Sequence, residues 1–257
     1  MTGATAGIGY EFARQLAASG HDLVLVARDV DRLDEVAGQL RDRHAVEVEV
    51  MSADLADRGA LQKVADRLGD PDRPVDVLVN NAGFGLKNVF LDGDVADQER
   101  LLDVLVRAVL VLTRAGVPPM VQRGRGTVIT VSSVAGFLPG GTYSAAKAWA
   151  TTFTVSLAAE LAGTGVTATA LCPGYVRTEF HRRAKLAMSS VPDWAWLSAD
   201  RLVADCLADV RRGRVLSVPS RRYKALTMVL RHLPLRALLW SGMRRPGRRR
   251  AVPGKAG

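Results

Sequence analysis

Six short β-rich runs alternate with amphipathic stretches along this chain: DLVLVA (22–27), VEVEV (46–50), VDVLV (75–79), TVITVS (127–132), VTATAL (166–171) and RVLSVP (214–219). A strand that meets a helical pattern before the next strand cannot close a hairpin, so each pair reads as a βα unit. Repetition of that unit predicts an α/β fold, a doubly wound parallel sheet with helices on both faces. VDVLV and TVITVS are nearly all apolar and β-branched, as strands covered on both faces should be. Pro118-Pro119 is expected to end a long helix, because proline lacks the amide hydrogen.

With 257 residues, 48% of them apolar, the chain suits one sizeable domain. Its two cysteines, Cys172 and Cys206, have no spacing partner and argue against a disulfide framework or a zinc site. No apolar run reaches the ~18 residues of a membrane span, and no charged-then-apolar leader is evident, so a cytoplasmic setting is expected. The net charge of +9 hides an asymmetry. From Val210 onward there are 14 Lys/Arg and no acid, which leaves 21 basic and 26 acidic residues upstream, a body of −5. The expected division is a domain over 1–219 and a basic amphipathic tail over 220–257.

Near the start, Thr2-Gly3-Ala4-Thr5-Ala6-Gly7-Ile8-Gly9 has the composition of a phosphate-cradling turn. Glycines allow a tight bend and close backbone approach, while a helix starting at Gly7 would aim its free amides at a pyrophosphate. At the end of the next strand, where an NAD site places Asp or Glu, Ala27 is followed by Arg28. Arginine suits a ribose 2′-phosphate through forked, charge-assisted hydrogen bonds, so NADP is favoured over NAD.

Further motifs follow in order. Asn80-Asn81-Ala82-Gly83 succeeds VDVLV, Ser132-Ser133-Val134-Ala135-Gly136 precedes Tyr143-Ser144-Ala145-Ala146-Lys147, and Cys172-Pro173-Gly174-Tyr175-Val176-Arg177-Thr178 succeeds VTATAL. Together with TGATAGIG, this set resembles the short-chain dehydrogenase/reductase family in its one-domain form, over residues 2 to about 219. The resemblance implies a Rossmann-like fold and a nicotinamide cofactor. It implies cofactor contacts from Gly3, Thr5, Gly7, Ile8, Gly9, Asn81, Ala82 and Gly83. Asp54 matches an adenine-contacting acid, although it can equally cap the following turn. Pro173, Gly174, Val176 and Thr178 match the segment that runs beside the nicotinamide.

Tyr143 and Lys147, four residues apart, fall on one helix face a turn apart. A free phenol titrates near 10, and a neighbouring ammonium favours its ionised form. The implied roles are Tyr143 as acid/base, Lys147 as its activator and a ribose ligand, and Ser133 as the donor orienting the reacting oxygen. Ser132 is the alternative hydroxyl, and Cys172 reads as a small buried residue.

Two departures stand out. Where the family usually carries an Asn that helps relay protons to the lysine, this chain has Leu105. The interval from Ser133 to Tyr143, ten residues, is a few shorter than usual. Leu105 supports a rival reading, a cofactor-binding but catalytically weak protein acting as a membrane-associated sensor or scaffold. The resemblance also makes the start unexpected, because a central strand should precede Thr2 and only Met1 does. The expectation is that this strand lies ahead of the sequence as written.

The segment after Thr178, EFHRRAKLAMSSVPDWAWLSAD, carries Leu186, Met188, Val191, Trp194 and Trp196, suited to a cover over a small apolar substrate such as a lipid, acyl chain or steroid-like molecule. A plain packed helix is the alternative, and His181, Arg182 and Arg183 read as a solvated face. In the tail, Leu226, Val229, Leu230, Leu233, Leu235, Leu238, Leu239 and Trp240 are interleaved with Arg and Lys and interrupted by Pro234. That pattern fits an anionic membrane surface, with a dimer contact or a solvated end as the alternatives. No nucleic-acid motif accompanies the charge. The resemblance further implies a homodimer or homotetramer.

Overall fold

The computed structural model describes residues 1–86, 90–179 and 191–232. Its elements run α1 (Gly7–Ala18), β1 (Leu23–Ala27), α2 (Val30–His44), β2 (Val48–Ser52), α3 (Arg58–Gly69) and β3 (Val77–Asn80). These are followed by α4 (Val95–Leu102), α5 (Ala108–Gln122), β4 (Gly126–Val131), α6 (Thr142–Glu160) and β5 (Val166–Leu171). The last are β6 (Tyr175–Val176), β7 (Trp196–Leu197), α7 (Ala199–Arg211), β8 (Leu216–Ser217) and α8 (Arg221–His232).

Every strand pairing is parallel, as the βα alternation requires. β1 pairs with β2, and β3, β4, β5 and β8 pair in that order. Between the two groups lies the start of the chain. Thr2 bridges Val26 in parallel, the Thr2 amide donates to Val79 O and the Gly3 amide to Val26 O. Met1 O accepts from the Val26 amide, and the Met1 amino group donates to Val24 O at 2.7 Å. Thus Met1–Gly3 holds the place of the expected central strand and joins both halves.

Polar residues set the helix starts. Asp29, Asp57 and Ser198 each accept from a first-turn amide of α2, α3 and α7. On one sheet face α1, α2 and α7 bury Phe12, Leu16, Leu33, Val36, Leu40, Leu202 and Cys206. On the other, α3 and α5 bury Leu61, Val64, Leu68, Leu112 and Met120.

Pro118-Pro119 does not stop α5, which continues to Gln122. Both prolines fall in its last turns, Pro119 O still accepts from the Arg123 amide at 3.2 Å, and fully buried Met120 anchors the end. Residues 95–122 form a 28-residue helical stretch long and apolar enough to cross a membrane by length and composition, although charged residues interrupt every apolar run in it. This stretch packs its Leu101, Leu105, Leu112 and Met120 into the domain.

Candidate active site

The glycine turn takes its shape from backbone demands. Gly3 and Gly7 have positive φ, 67° and 55°. Gly9 is more constrained by space, since a Cβ there would lie 2.0 Å from Gly3 O. Ala6 occupies the N-cap of α1 and gives no side-chain cap, so the first-turn amides are left without a side-chain acceptor. Thr5 and Ile8 are half-buried beside this turn. Arg28 stands exposed at the end of β1, where its carbonyl accepts from the Ser52 hydroxyl at 3.0 Å.

The turn is laced to the end of β3. Thr2 Oγ1 accepts from the Asn81 and Ala82 amides, each at 3.0 Å. The Asn81 side chain returns two hydrogen bonds, to Thr2 O at 3.0 Å and Gly3 O at 3.1 Å. Asn80 turns away from the crevice, buried, and donates to Thr113 Oγ1 at 3.0 Å. Asp54 shows the capping role held open for it: Oδ1 accepts from the Ala56 amide at 3.0 Å, while Oδ2 takes a 2.6 Å bond from Arg100. Burial raises the Asp54 pKa, but the Arg100 and Ala56 hydrogen bonds and the charges of Arg100 and Arg28 outweigh it and hold the carboxyl below its ordinary value.

Across the sheet edge, α6 presents Tyr143 and Lys147. The Tyr143 hydroxyl is hydrogen-bonded to Ser133, and burial pushes it up to about 12 against the smaller opposing effect of that bond. Lys147 Nζ is buried, donates to Val131 O at 2.7 Å and lies 5.8 Å from the Tyr143 ring centroid. Burial lowers it to about 8. The expected lowering of Tyr143 by the ammonium is therefore absent here, because desolvation of the phenol dominates and Lys147 is directed at a backbone carbonyl. Ser132, the alternative hydroxyl, is buried behind α6, where it donates to Lys147 O at 2.7 Å. Burial raises the neighbouring Cys172 thiol as well.

The short interval before Tyr143 folds as a 3-10 turn over Val134–Phe137 followed by Gly140-Gly141. Gly141 has φ 82°, and a Cβ on Gly140 would lie 2.4 Å from Ser144 Oγ. Two glycines thus let fewer residues span the gap.

Leu105 sits in a π-helical turn, Asp103–Arg107, between α4 and α5. It packs with Leu101 and Ala146, and Phe84, Leu86, Val106 and Tyr143 lie against them. A Cβ on Gly83 would be 3.6 Å from Leu105 and 3.7 Å from Lys147 Nζ, so these three meet at one point. Tyr143 therefore opens onto an apolar wall.

The segment after β5 closes the other side. Pro173 O accepts from the Val134 amide at 2.9 Å, beside Ser133. Val176 is buried, and a Cβ on Gly7 would be 3.0 Å from Thr178. Trp196 packs on Tyr175 with ring centroids 5.7 Å apart, whereas Trp194 is 65% exposed and lies under Arg222. His181, Arg182, Arg183, Leu186 and Met188 lie outside the described residues, as do Leu233, Pro234, Leu235, Leu238, Leu239 and Trp240. Thr2, Arg100 and Tyr223 were missed as site neighbours; only Thr2, inside the glycine motif, carried a sequence signal.

A parallel, doubly wound sheet with a glycine turn at its centre and a Ser/Tyr/Lys cluster at its carboxyl edge defines a class of nucleotide-dependent oxidoreductase folds. A family model for short chain dehydrogenases matches residues 1–188. A solved short-chain dehydrogenase from Sphingobium yanoikuyae, in complex with NADPH, is 33% identical, with TM-score 0.83 over 100% of this chain and 98% of that one. The bulky-bulky ketone specific alcohol dehydrogenase of Comamonas testosteroni is 29% identical, with TM-score 0.79 over 96% and 94% of the two chains. Sulfoacetaldehyde reductase 2 of Chromohalobacter salexigens is 38% identical over 185 residues, 70% of this chain and 73% of the relative. The chain belongs to the short-chain dehydrogenase/reductase family and is an oxidoreductase.

Proposed function

We propose that this enzyme interconverts a carbonyl and an alcohol on a bulky, apolar substrate with NADP(H) as cofactor. The observation that carries the reading is the buried Tyr143 hydroxyl bonded to Ser133, one helical turn from Lys147 and beside an apolar wall. A dinucleotide suits the residues present. Gly3, Gly7 and Gly9 and the α1 amides would take the pyrophosphate, and Arg28 the 2′-phosphate. Thr5, Ile8, Asp54, Asn81, Ala82 and Gly83 would line the adenosine and ribose side. Pro173, Gly174, Val176 and Thr178 would line the nicotinamide side, with Tyr143 and Lys147 reaching the ribose.

When bound, the cofactor supplies or accepts hydride. The protein's own task is position and proton. Ser133 would hold the substrate oxygen against Tyr143, whose raised pKa keeps the phenol protonated and ready to donate as negative charge builds on that oxygen. Reversal needs a proton taken back, and help from the Lys147 ammonium would require it to turn from Val131 O toward the phenol. The wall of Phe84, Leu86, Leu105 and Val106 excludes water and favours an apolar substrate. The ketone preference named for the Comamonas relative supports this substrate class.

Hydride transfer from NADPH to acyl, steroid, bulky ketone and small aldehyde carbonyls tests the proposal. Tyr143→Phe should lose about 10²–10⁴-fold in rate while still binding NADPH. Equal inactivity of wild type and variant on every carbonyl would leave the weak-catalyst reading standing.

A homodimer or homotetramer is proposed through α5 and α6, where Leu110 and Val155 are 46% and 44% exposed and Trp149 stacks on Phe153. Light scattering of wild type and Val155→Glu checks it. On α8, Leu226, Met228 and Val229 are exposed among Arg221, Arg222, Lys224 and Arg231, which supports peripheral contact with an anionic membrane surface. Flotation with anionic but not neutral vesicles, lost in Leu226→Glu/Val229→Glu, is the expected result.

A further inference from the structure

The C-terminal helix α8 reaches the candidate active site through one buried side chain. Tyr223 is 9% exposed and its ring lies flat on the backbone of Gly174, where a Cβ would fall 2.0 Å from the ring carbon that bears the hydroxyl. Its hydroxyl accepts from the Tyr175 amide at 3.1 Å and donates to Ala195 O at 2.8 Å. A single oxygen thus bridges β6 and the turn that leads into β7, two segments twenty residues apart in sequence. Nearby, Arg222 donates to Trp194 O at 2.8 Å, so two successive α8 residues grip the β7 side.

These contacts bear on the site because of what β6 carries. The strand lies within the stretch from Gly174 to Thr178, and Thr178 packs against Gly7 of the glycine turn. Just upstream, Pro173 O is tied to the Val134 amide beside Ser133. Tyr223 itself packs with Val134, Cys172 and Val218. The β6–β7 pair is only two residues long on each strand, too short to hold its own position. An external brace is therefore needed, and the phenol both fills the gap over Gly174 and satisfies one amide of β6 and one carbonyl of the turn before β7.

We infer that Tyr223 is a positioning residue for the reaction, fixing the β6–β7 ribbon so that its Gly174–Thr178 backbone, which lines the nicotinamide side in the proposed reading, keeps the ketone and the nicotinamide in register. The inference rests on the proposed reductase reading for its kinetic arm.

The test compares wild type, Tyr223→Phe and Gly174→Ala as full chains, with NADPH and a bulky diaryl ketone as probe. Phe keeps the ring and removes the bridging oxygen. Gly174→Ala keeps the oxygen and forces the ring off the backbone. Both should raise KM for the ketone by about fivefold or more, the order expected for a lost buried hydrogen bond, with a smaller change in kcat. For Tyr223→Phe, the Kd for NADPH should stay within about twofold, since the pyrophosphate and 2′-phosphate contacts proposed for the glycine turn and Arg28 do not involve Tyr223 and only the nicotinamide end meets the braced ribbon. Hydrogen exchange over 175–178 and 194–197 should quicken in Tyr223→Phe while that of β3 and β4 is unchanged.

Unaltered KM together with unaltered exchange at these amides would overturn the inference. So would a loss spread evenly over exchange, kcat and NADPH binding, which marks a general loss of folding. Should the wild type reduce no carbonyl, the reductase reading fails on that ground, and the exchange comparison alone decides whether Tyr223 braces the ribbon.

Discussion

The Lys147 ammonium donates to Val131 O at 2.7 Å within a fully buried setting, directly beneath the point where Leu105 and Gly83 meet. A cation in that position is poorly hydrated, and its charge is answered by the Val131 carbonyl dipole. The site thus keeps its lysine at an energetic disadvantage, which any further polar partner at Nζ would relieve.

That disadvantage should be visible in stability. Burial lowers Lys147 from 10.5 to about 8, so between those values the unfolded chain binds more protons than the folded one. Stability must then rise with pH across this window, and falls back as pH drops through about 8. Tyr143 acts in the opposite sense only from pH 10 to about 12, where its raised value makes stability decline. Urea midpoints between about pH 7.5 and 9 should rise for wild type and flatten for Lys147→Met; above about 9 the buried Cys172 and Cys206 thiols, both raised by burial, oppose the rise.

Arg28 provides a test of cofactor choice. It is exposed and free of any fold-holding side-chain bond among the described contacts, so its replacement should leave melting unchanged. Arg28→Ala is expected to weaken NADPH binding by about 10–100-fold, the range of a charge-assisted hydrogen bond, with NADH affinity almost unaltered. Fluorescence titration of both nucleotides measures the ratio.

Leu105 is the residue that most alters expectation for catalysis. Leu105→Asn would set an amide beside Lys147 Nζ and the turn of Gly83. It should lower stability by about 2–4 kcal/mol, because a fully packed leucine is lost from among Leu101 and Ala146. It should also raise kcat, since the lysine gains a polar neighbour able to hold water. Unfolding midpoints and NADPH turnover, measured together, separate the two effects.

Much of the architecture was legible because backbone periodicity and turn chemistry are local. The runs around Leu23, Val77 and Val166 became strands within a residue or two of their expected limits. Gly3, Gly7 and Gly9 stood out because only glycine satisfies their conformations and clearances. That Asn80 would turn inward to Thr113 was not legible, since alternation along β3 decides between Asn80 and Asn81 and the strand end could not be fixed to one residue. The Arg100–Asp54 ion pair and the Tyr223–Gly174 contact were hidden, as each joins segments more than forty residues apart with no periodic mark. The π-helical turn at Leu105 was equally silent, for its extra residue leaves the apolar spacing nearly helical. Pro118-Pro119 misled for a related reason, because a proline rule stated for helix interiors is relaxed in a final turn held by Met120.

The lacing of Thr2 and Gly3 to Val26, Val79 and Asn81 has a mechanical meaning. The peptide groups of Thr2 and Gly3 that tie β1 to β3 also begin the turn that would clasp the nucleotide. An occupied turn would therefore tighten the join between those two strands, and dinucleotide binding should be felt in the sheet as slower exchange at the Thr2 and Gly3 amides.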